Sequence, residues 1–294
     1  MRRGRHPAQS LPSAQLAQAG ALLAASPLAC RGALMRRTRA ALVLLKEPLY
    51  LPRVVGPLLA DPGIELVDAV LVPPRCARNV HPGASLGVRA IAARAPLCGT
   101  RAFIAAAARY VLSAVHRNVA GTSLAALTRA RGVHPLRWRG SVNDARLVER
   151  IRASRADVVL GVFSERAGAA LRTATPAGVV LLHYSVLPRF PGCEPTFWTL
   201  LEDPDAAGVT FFVADEALDG GAIASQARRS LTHVRSLHEA IATLSDLAGE
   251  GAASALQRAV CRDVGQPRCP PENLRGWPSA DDVRRFRERG YSFA

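Results

Sequence analysis

The sequence predicts an α/β fold, a mostly parallel central sheet flanked by helices. Three observations carry this. Four segments read as strands, Ala40 to Leu45, Ile64 to Val72, Asp157 to Phe163 and Val179 to Leu182, the last of them as continuously apolar as a strand buried on both faces. Helix-period segments separate them. Finally, 294 residues suffice for one large domain with tails rather than two full domains.

Taken in order, Met1 to Leu45 holds seven arginines and no acidic residue, a composition that resembles a transit peptide. The plainer expectation is a disordered basic leader over residues 1–38, with Met35 an alternative start. Its apolar patch, Ala21 to Leu28, is too short to span a membrane, and no other run is long enough, which predicts a soluble, cytoplasmic protein. A strand over Ala40 to Leu45 opens the domain assigned to residues 39–260. A helix from Leu51 to Leu59 follows, with Pro52 in its first turn where the missing N–H is harmless. Ile64 to Val72 is the second strand, and Pro73 to Gly99 a loop-rich insertion. Arg101 to Arg117 is expected as a helix capped by Thr100, with Phe103, Ala107, Tyr110, Val111 and Val115 near one face.

Ser123 to Arg131 reads as a short helix stopped by Gly132. Asn143 is the expected cap of a helix from Ala145 to Ser154. Asp157 to Phe163 is a strand, Glu165 to Thr173 a helix, and Val179 to Leu182 the strand that delivers His183 to its carboxyl end, where open α/β sheets place ligands. Ser185, Pro188 and Pro191-Gly192 force an irregular loop. Val209 to Val213 is a further strand, followed by Asp215, Glu216 and Asp219 ahead of Gly220-Gly221, so that two strand ends offer an imidazole and a carboxylate to one crevice. Ala222 to Gln226 is an edge or hairpin strand. Ser236 and Glu239 make a capping box for a long helix reaching Val260, with an interruption near Gly249 and Gly251. Residues 261–294 are a linker and a short helix, Asp281 to Glu288.

The net charge of +15 is almost wholly arginine, since Lys46 is the sole lysine, and no basic run with interleaved aromatics marks a nucleic-acid face. No nucleic-acid or membrane partner is therefore expected. The six cysteines lie without metal-site spacing, so no metal is expected and free thiols in a reducing compartment fit.

A lone histidine after a strand is more commonly a satisfied structural group than a catalyst, and Asp219-Gly220-Gly221 reads equally as a turn. Paired, however, His183 and Asp219 form a sound proton-transfer unit. Asp215 and Glu216 read as solvated charges, and Cys193 has no base placed for it.

The runs HYSVLPRFPG, PTFW and GVTFFVADEALDGGAI resemble the 10-formyltetrahydrofolate-dependent formyltransferases, whose pattern is Asn-x-His-x-Ser-Leu-Leu-Pro, a glycine-containing loop, Gly-Val-Thr and a Leu-Asp-x-Gly turn. The likeness is specific over Asp157 to Gln226, and VNDARLVERIRASRADVVLGV is similar to the preceding helix and strand. It implies a Rossmann-like formyltransferase fold with 10-formyltetrahydrofolate as formyl donor. It also implies His183 as catalytic histidine, Asp219 as its carboxylate partner, and Ser185, Val186, Leu187 and Pro188 bordering the folate. One departure stands out. Leu181 occupies the family's asparagine position, and loss of one oxyanion donor costs roughly 10²–10³ in turnover. Residues 261–294 are too few for the oligonucleotide-binding barrel of relatives that act on initiator tRNA, so a small-molecule amine, such as a nucleotide-linked amino sugar, is the expected acceptor. The insertion and Phe197-Trp198 could shape its pocket, although at least one of those rings is expected in the core. The alternatives are a formyltetrahydrofolate hydrolase and a catalytically weakened folate-binding homologue.

Overall fold

The computed structural model describes residues 36–73, 100–265 and 274–293. The chain divides into two compact units, Met1–Arg36 and Arg37–Ala294, and every element below belongs to the second. Nearly all of the leader, most of the 73–99 insertion and four of the cysteines lie outside the described residues.

The elements are β1 (Thr38–Leu45), α1 (Leu51–Ala60), β2 (Ile64–Val72), α2 (Thr100–Val119), α3 (Leu124–Arg129), β3 (Leu136–Arg137), α4 (Ala145–Ala153), β4 (Val158–Val162), α5 (Ala169–Arg172), β5 (Val179–His183), α6 (Pro195–Glu202), β6 (Gly208–Val213), β7 (Ile223–Arg228), α7 (Leu237–Val260) and α8 (Ala280–Glu288). The strands form one seven-stranded sheet in the order β3-β2-β1-β4-β5-β6-β7. β1 to β5 pair in parallel, and β6 and β7 add antiparallel. The order reverses between β1 and β4, because β1 leads to β2 on one side and β4 to β5 on the other; this topological switch opens the crevice at the carboxyl edge.

Alternation along the strands feeds two cores. Leu42, Leu44, Val180 and Leu182 pack against α1 and α7, while Val43, Val159 and Val179 pack against Leu147, Val148 and Ile151 of α4. α7 runs unbroken for 24 residues, so the interruption expected at Gly249 does not occur. A Cβ on Gly249 would stand 2.5 Å from the Arg53 carbonyl oxygen, so this glycine serves the close approach of α1 to α7.

Several local readings are corrected by side-chain competition. Asp144, not Asn143, caps α4 through the Arg146 N–H, and Asn143 instead ties Gly168 N and Arg166 O across the following loop. The helix expected over Glu165 to Thr173 shrinks to the single turn α5, because Glu165 turns back to accept from the Ser141 hydroxyl and the Val142 N–H. Thr100 is the first residue of α2 rather than its cap, and Val111 and Val115 face outward while Tyr110 reaches the Lys46 carbonyl. α6 and β3 were not anticipated, the former because Pro-rich flanks hid an eight-residue helix.

Candidate functional site

His183 is the last residue of β5, at the carboxyl edge and 7% exposed. Its Nε2 lies 2.9 Å from the Phe190 carbonyl oxygen. A carbonyl can only accept, so Nε2 carries the proton, and the neutral ring presents a bare Nδ1. That Nδ1 sits 3.8 Å from Asp219 Oδ2, beyond hydrogen-bond range but within reach of an ion pair once the ring is protonated.

The route by which Asp219 arrives differs from the one the sequence suggested. β6 is antiparallel to β5, with Val213 opposite Val180 and Thr210 opposite His183. The carboxyl end of β6 therefore lies about 10 Å down the sheet from the imidazole, at 3.3 Å per residue. The two groups do not meet across neighbouring strand ends. Instead the segment from Ala214 to Gly221 leaves β6, crosses back to the crevice and returns to pair Val213 N with Ala222 O. Asp219 sits at its tip in the left-handed region, φ 54°. Asp215 accepts from Ala217 N, and Glu216 pairs with Arg172, so these carboxylates stay with local structure.

Asp219 Oδ2 also accepts from Gly192 N at 2.7 Å, and the Ser185 hydroxyl donates to the same Phe190 oxygen as His183 at 3.2 Å. The loop between β5 and α6 thus holds both members of the pair. Its start is fixed by Thr210, fully buried on β6, whose Oγ1 donates to Ser185 O at 2.7 Å and accepts from Leu187 N at 3.1 Å and Gln226 Nε2 at 3.0 Å. Gln226 Nε2 also donates to Leu187 O. The roles of Phe190 and Gln226 are not legible in the sequence, since their contribution is backbone or cross-strand bonding, whereas the Pro191-Gly192 pair and the Gly-Val-Thr motif that ends on Thr210 point towards the other two.

Ser185, Val186 and Leu187 are buried, and the polar groups of Ser185 and Leu187 are spent on Phe190, Thr210 and Gln226. This stretch can back a ligand with apolar surface but offers it few polar contacts. Leu181 lies on the same face of β5 as His183, two residues before it, where an amide would point into the crevice. Its side chain leans over Gly161 of β4, where a Cβ would be only 2.8 Å from Leu181 Cδ2. Phe197 and Trp198 are both core residues, 1% and 6% exposed. Cys193 is in no disulfide.

Behind the crevice, the Tyr184 hydroxyl meets Ser245 Oγ at 3.1 Å, and burial pushes its ionisation far above the ordinary phenol range. Glu47, following β1, accepts from the backbone N–H groups of Leu49, Tyr50 and Leu51 and so caps α1. Burial raises its carboxyl above the ordinary value, against the pull of those three bonds and of Arg117.

With this geometry in place, comparison with known proteins gives its kinship. The model of the formyl transferase family matches residues 109–256, half of the chain, and includes β5, the loop between β5 and α6, Asp219 and most of α7. The chain belongs to the formyl transferase family. Among curated relatives, the methionyl-tRNA formyltransferase of Anaeromyxobacter sp. (strain K) is 32% identical over 133 residues, 45% of this chain and 42% of the relative. That of Anaeromyxobacter dehalogenans (strain 2CP-C) is 34% identical over the same length. The matches span less than half the length of these relatives. Among solved structures, glycinamide ribonucleotide transformylase 1 of Symbiobacterium toebii superposes with a TM-score of 0.50 at 17% identity, covering 75% of this chain and 86% of its own, a likeness of fold. Among the described residues, no helix is long and apolar enough to cross a membrane and no three His, Cys, Asp or Glu side chains gather to hold a metal.

Proposed function

We propose that this formyl transferase moves a formyl group from 10-formyltetrahydrofolate, the donor used in the family, to a small-molecule amine, with His183 and Asp219 as its proton-transfer pair. The observation that carries the reading is the imidazole held with Nε2–H on Phe190 O and Nδ1 toward Asp219. The donor supplies a formyl carbon open to attack by nitrogen. Donor and chain are compatible, because buried Val186 and Leu187 give apolar backing beside a proton carrier.

His183 Nδ1 accepts the proton that the attacking amine loses as its nitrogen bonds to the formyl carbon, Asp219 stabilises the imidazolium so formed, and Nδ1–H returns that proton to the folate nitrogen as its bond to the formyl carbon breaks and tetrahydrofolate leaves. Nε2–H stays on Phe190 O, which fixes the ring so that Nδ1 is the nitrogen offered to the reacting atoms. Ser185 donates to the same oxygen and helps hold Phe190 in place. Asp219 keeps its hold on Gly192 throughout. The side chains of His183 and Asp219 are only 8% and 12% exposed, so the acceptor has to present its amine on a narrow end, as a small molecule does. Leu181 supplies no donor, which sets turnover low rather than at zero.

The deciding experiment incubates the protein with 10-formyltetrahydrofolate and pooled primary amines and follows, by mass spectrometry, the gain of one formyl group. Formylated amine that disappears in His183→Ala is expected. Release of free formate without any formylated amine would replace this reading with hydrolysis. No binding of the donor by calorimetry would end it.

A further inference from the structure

The segment around Arg275 lies outside residues 109–256, yet it touches the loop that holds the pair. Arg275 forms a parallel bridge with Gly192: Arg275 N donates to Pro191 O at 2.7 Å, and Cys193 N donates to Arg275 O at 2.8 Å. Residues 190 to 193 use both edges. On one, Phe190 O and Gly192 N meet His183 and Asp219; on the other, Pro191 O and Cys193 N meet Arg275.

The contact leaves no slack. Gly192 has φ +100°, and a Cβ there would stand 2.3 Å from Arg275 O, so glycine is required both by its conformation and by the neighbouring backbone. Arg275 is itself anchored. Its guanidinium pairs with Glu202 at 2.7 Å and lies 5.3 Å from the centre of the Trp198 ring, while Trp198 Nε1 donates to Gly276 O at 3.1 Å. Farther along, Phe286 of α8 stacks on Phe197 with centroids 4.6 Å apart, and Arg289 donates to Leu201 O, so the chain after the strap is fastened to the same helix, α6.

We infer that residues 274–276 are a positioning strap, which through Arg275 sets the loop edge that holds His183 and Asp219 in register. Arg275 touches neither the imidazole nor the carboxylate; it acts through the backbone of residues 191 and 193. The strap's position stands on geometry, and its catalytic meaning rests on the formyl-transfer reading above.

The test uses the full chain and reads amide hydrogen exchange at Gly192, which bonds to Asp219 and not to Arg275. Arg275→Pro deletes the donor to Pro191. Gly192 protection is expected to fall about 5- to 10-fold, the worth of roughly one hydrogen bond. Arg275→Ala retains the backbone donor and should keep most of the protection. With the donor and an accepted amine, Arg275→Pro should lower kcat by up to about 100-fold, as misplacement of a reacting group does, and leave KM for the donor nearly unchanged. A folded Arg275→Pro whose Gly192 amide is as protected as in the unaltered protein overturns the proposal. Should that variant fail to fold, Trp198→Phe decides, because it removes the donor to Gly276 and part of the ring under Arg275 without touching the backbone bonds to the loop: reduced Gly192 protection supports the strap, and unchanged protection overturns it. If the unaltered protein proves not to transfer formyl groups, the proposed activity falls while the exchange result still decides the strap.

Discussion

Thr210→Val isolates the hydroxyl that ties the loop to the sheet. Valine is nearly isosteric, so the change removes the hydrogen bonds and little volume. Two buried backbone groups lose their partner, Leu187 N and Ser185 O, whereas Gln226 Nε2 retains Leu187 O. Each orphaned group costs about 1–3 kcal/mol, and the added methyl returns about 1 kcal/mol at most, for a net loss near 3 kcal/mol. For a domain of this size that lowers Tm by about 6–12 °C. Urea denaturation of Thr210→Val beside Thr210→Ser, which keeps the hydroxyl and loses about 1 kcal/mol of packing, separates bonding from shape. A valine variant within about 0.5 kcal/mol of the unaltered protein would refute the claim that this hydroxyl anchors the loop.

Other consequences can be checked alongside. Asp219→Asn keeps an oxygen for Gly192 N but removes the charge 3.8 Å from His183, so kcat should fall by about 10²-fold with the loop still ordered; an unchanged kcat would take Asp219 out of the mechanism. Leu181→Asn places an amide on the His183 face and is expected to raise formyl transfer; a variant that binds the donor and gains nothing would mean the crevice is built around leucine. Glu47 predicts a pH dependence. Its folded-state ionisation is raised above the ordinary value of 4.5, so the folded protein binds the extra proton, and the associated stability is present below that value and lost as pH rises through the raised one. Urea midpoints taken upward from pH 4 should show this decline, and Glu47→Gln should lack it; equal pH profiles for both proteins would refute it.

Much of the scaffold could be read from the residues alone. The continuous apolar run Val179 to Leu182 named a central strand, since burial on two sides leaves no place for polar alternation. Ser236 before Glu239 marked a helix start, because an N-cap is a local bargain between a side chain and N–H groups two or three residues away. Spacing likewise put Leu181 and His183 on one face of a strand.

Tertiary structure decided the rest. Strand direction is not written in the apolar run Val209 to Val213, whose two orientations bury the same side chains, yet the antiparallel choice sent Asp219 back to His183 through a loop rather than along a strand end. Nor could Asn143 and Asp144 be ranked as caps without knowing that Gly168 and Arg166 compete for Asn143. The strap at Arg275 is the extreme case, 83 residues from Gly192 and joined to it by peptide groups alone. Peptide groups are common to every residue, so the sequence bears no trace of which of them will pair; only the folded chain brings them together.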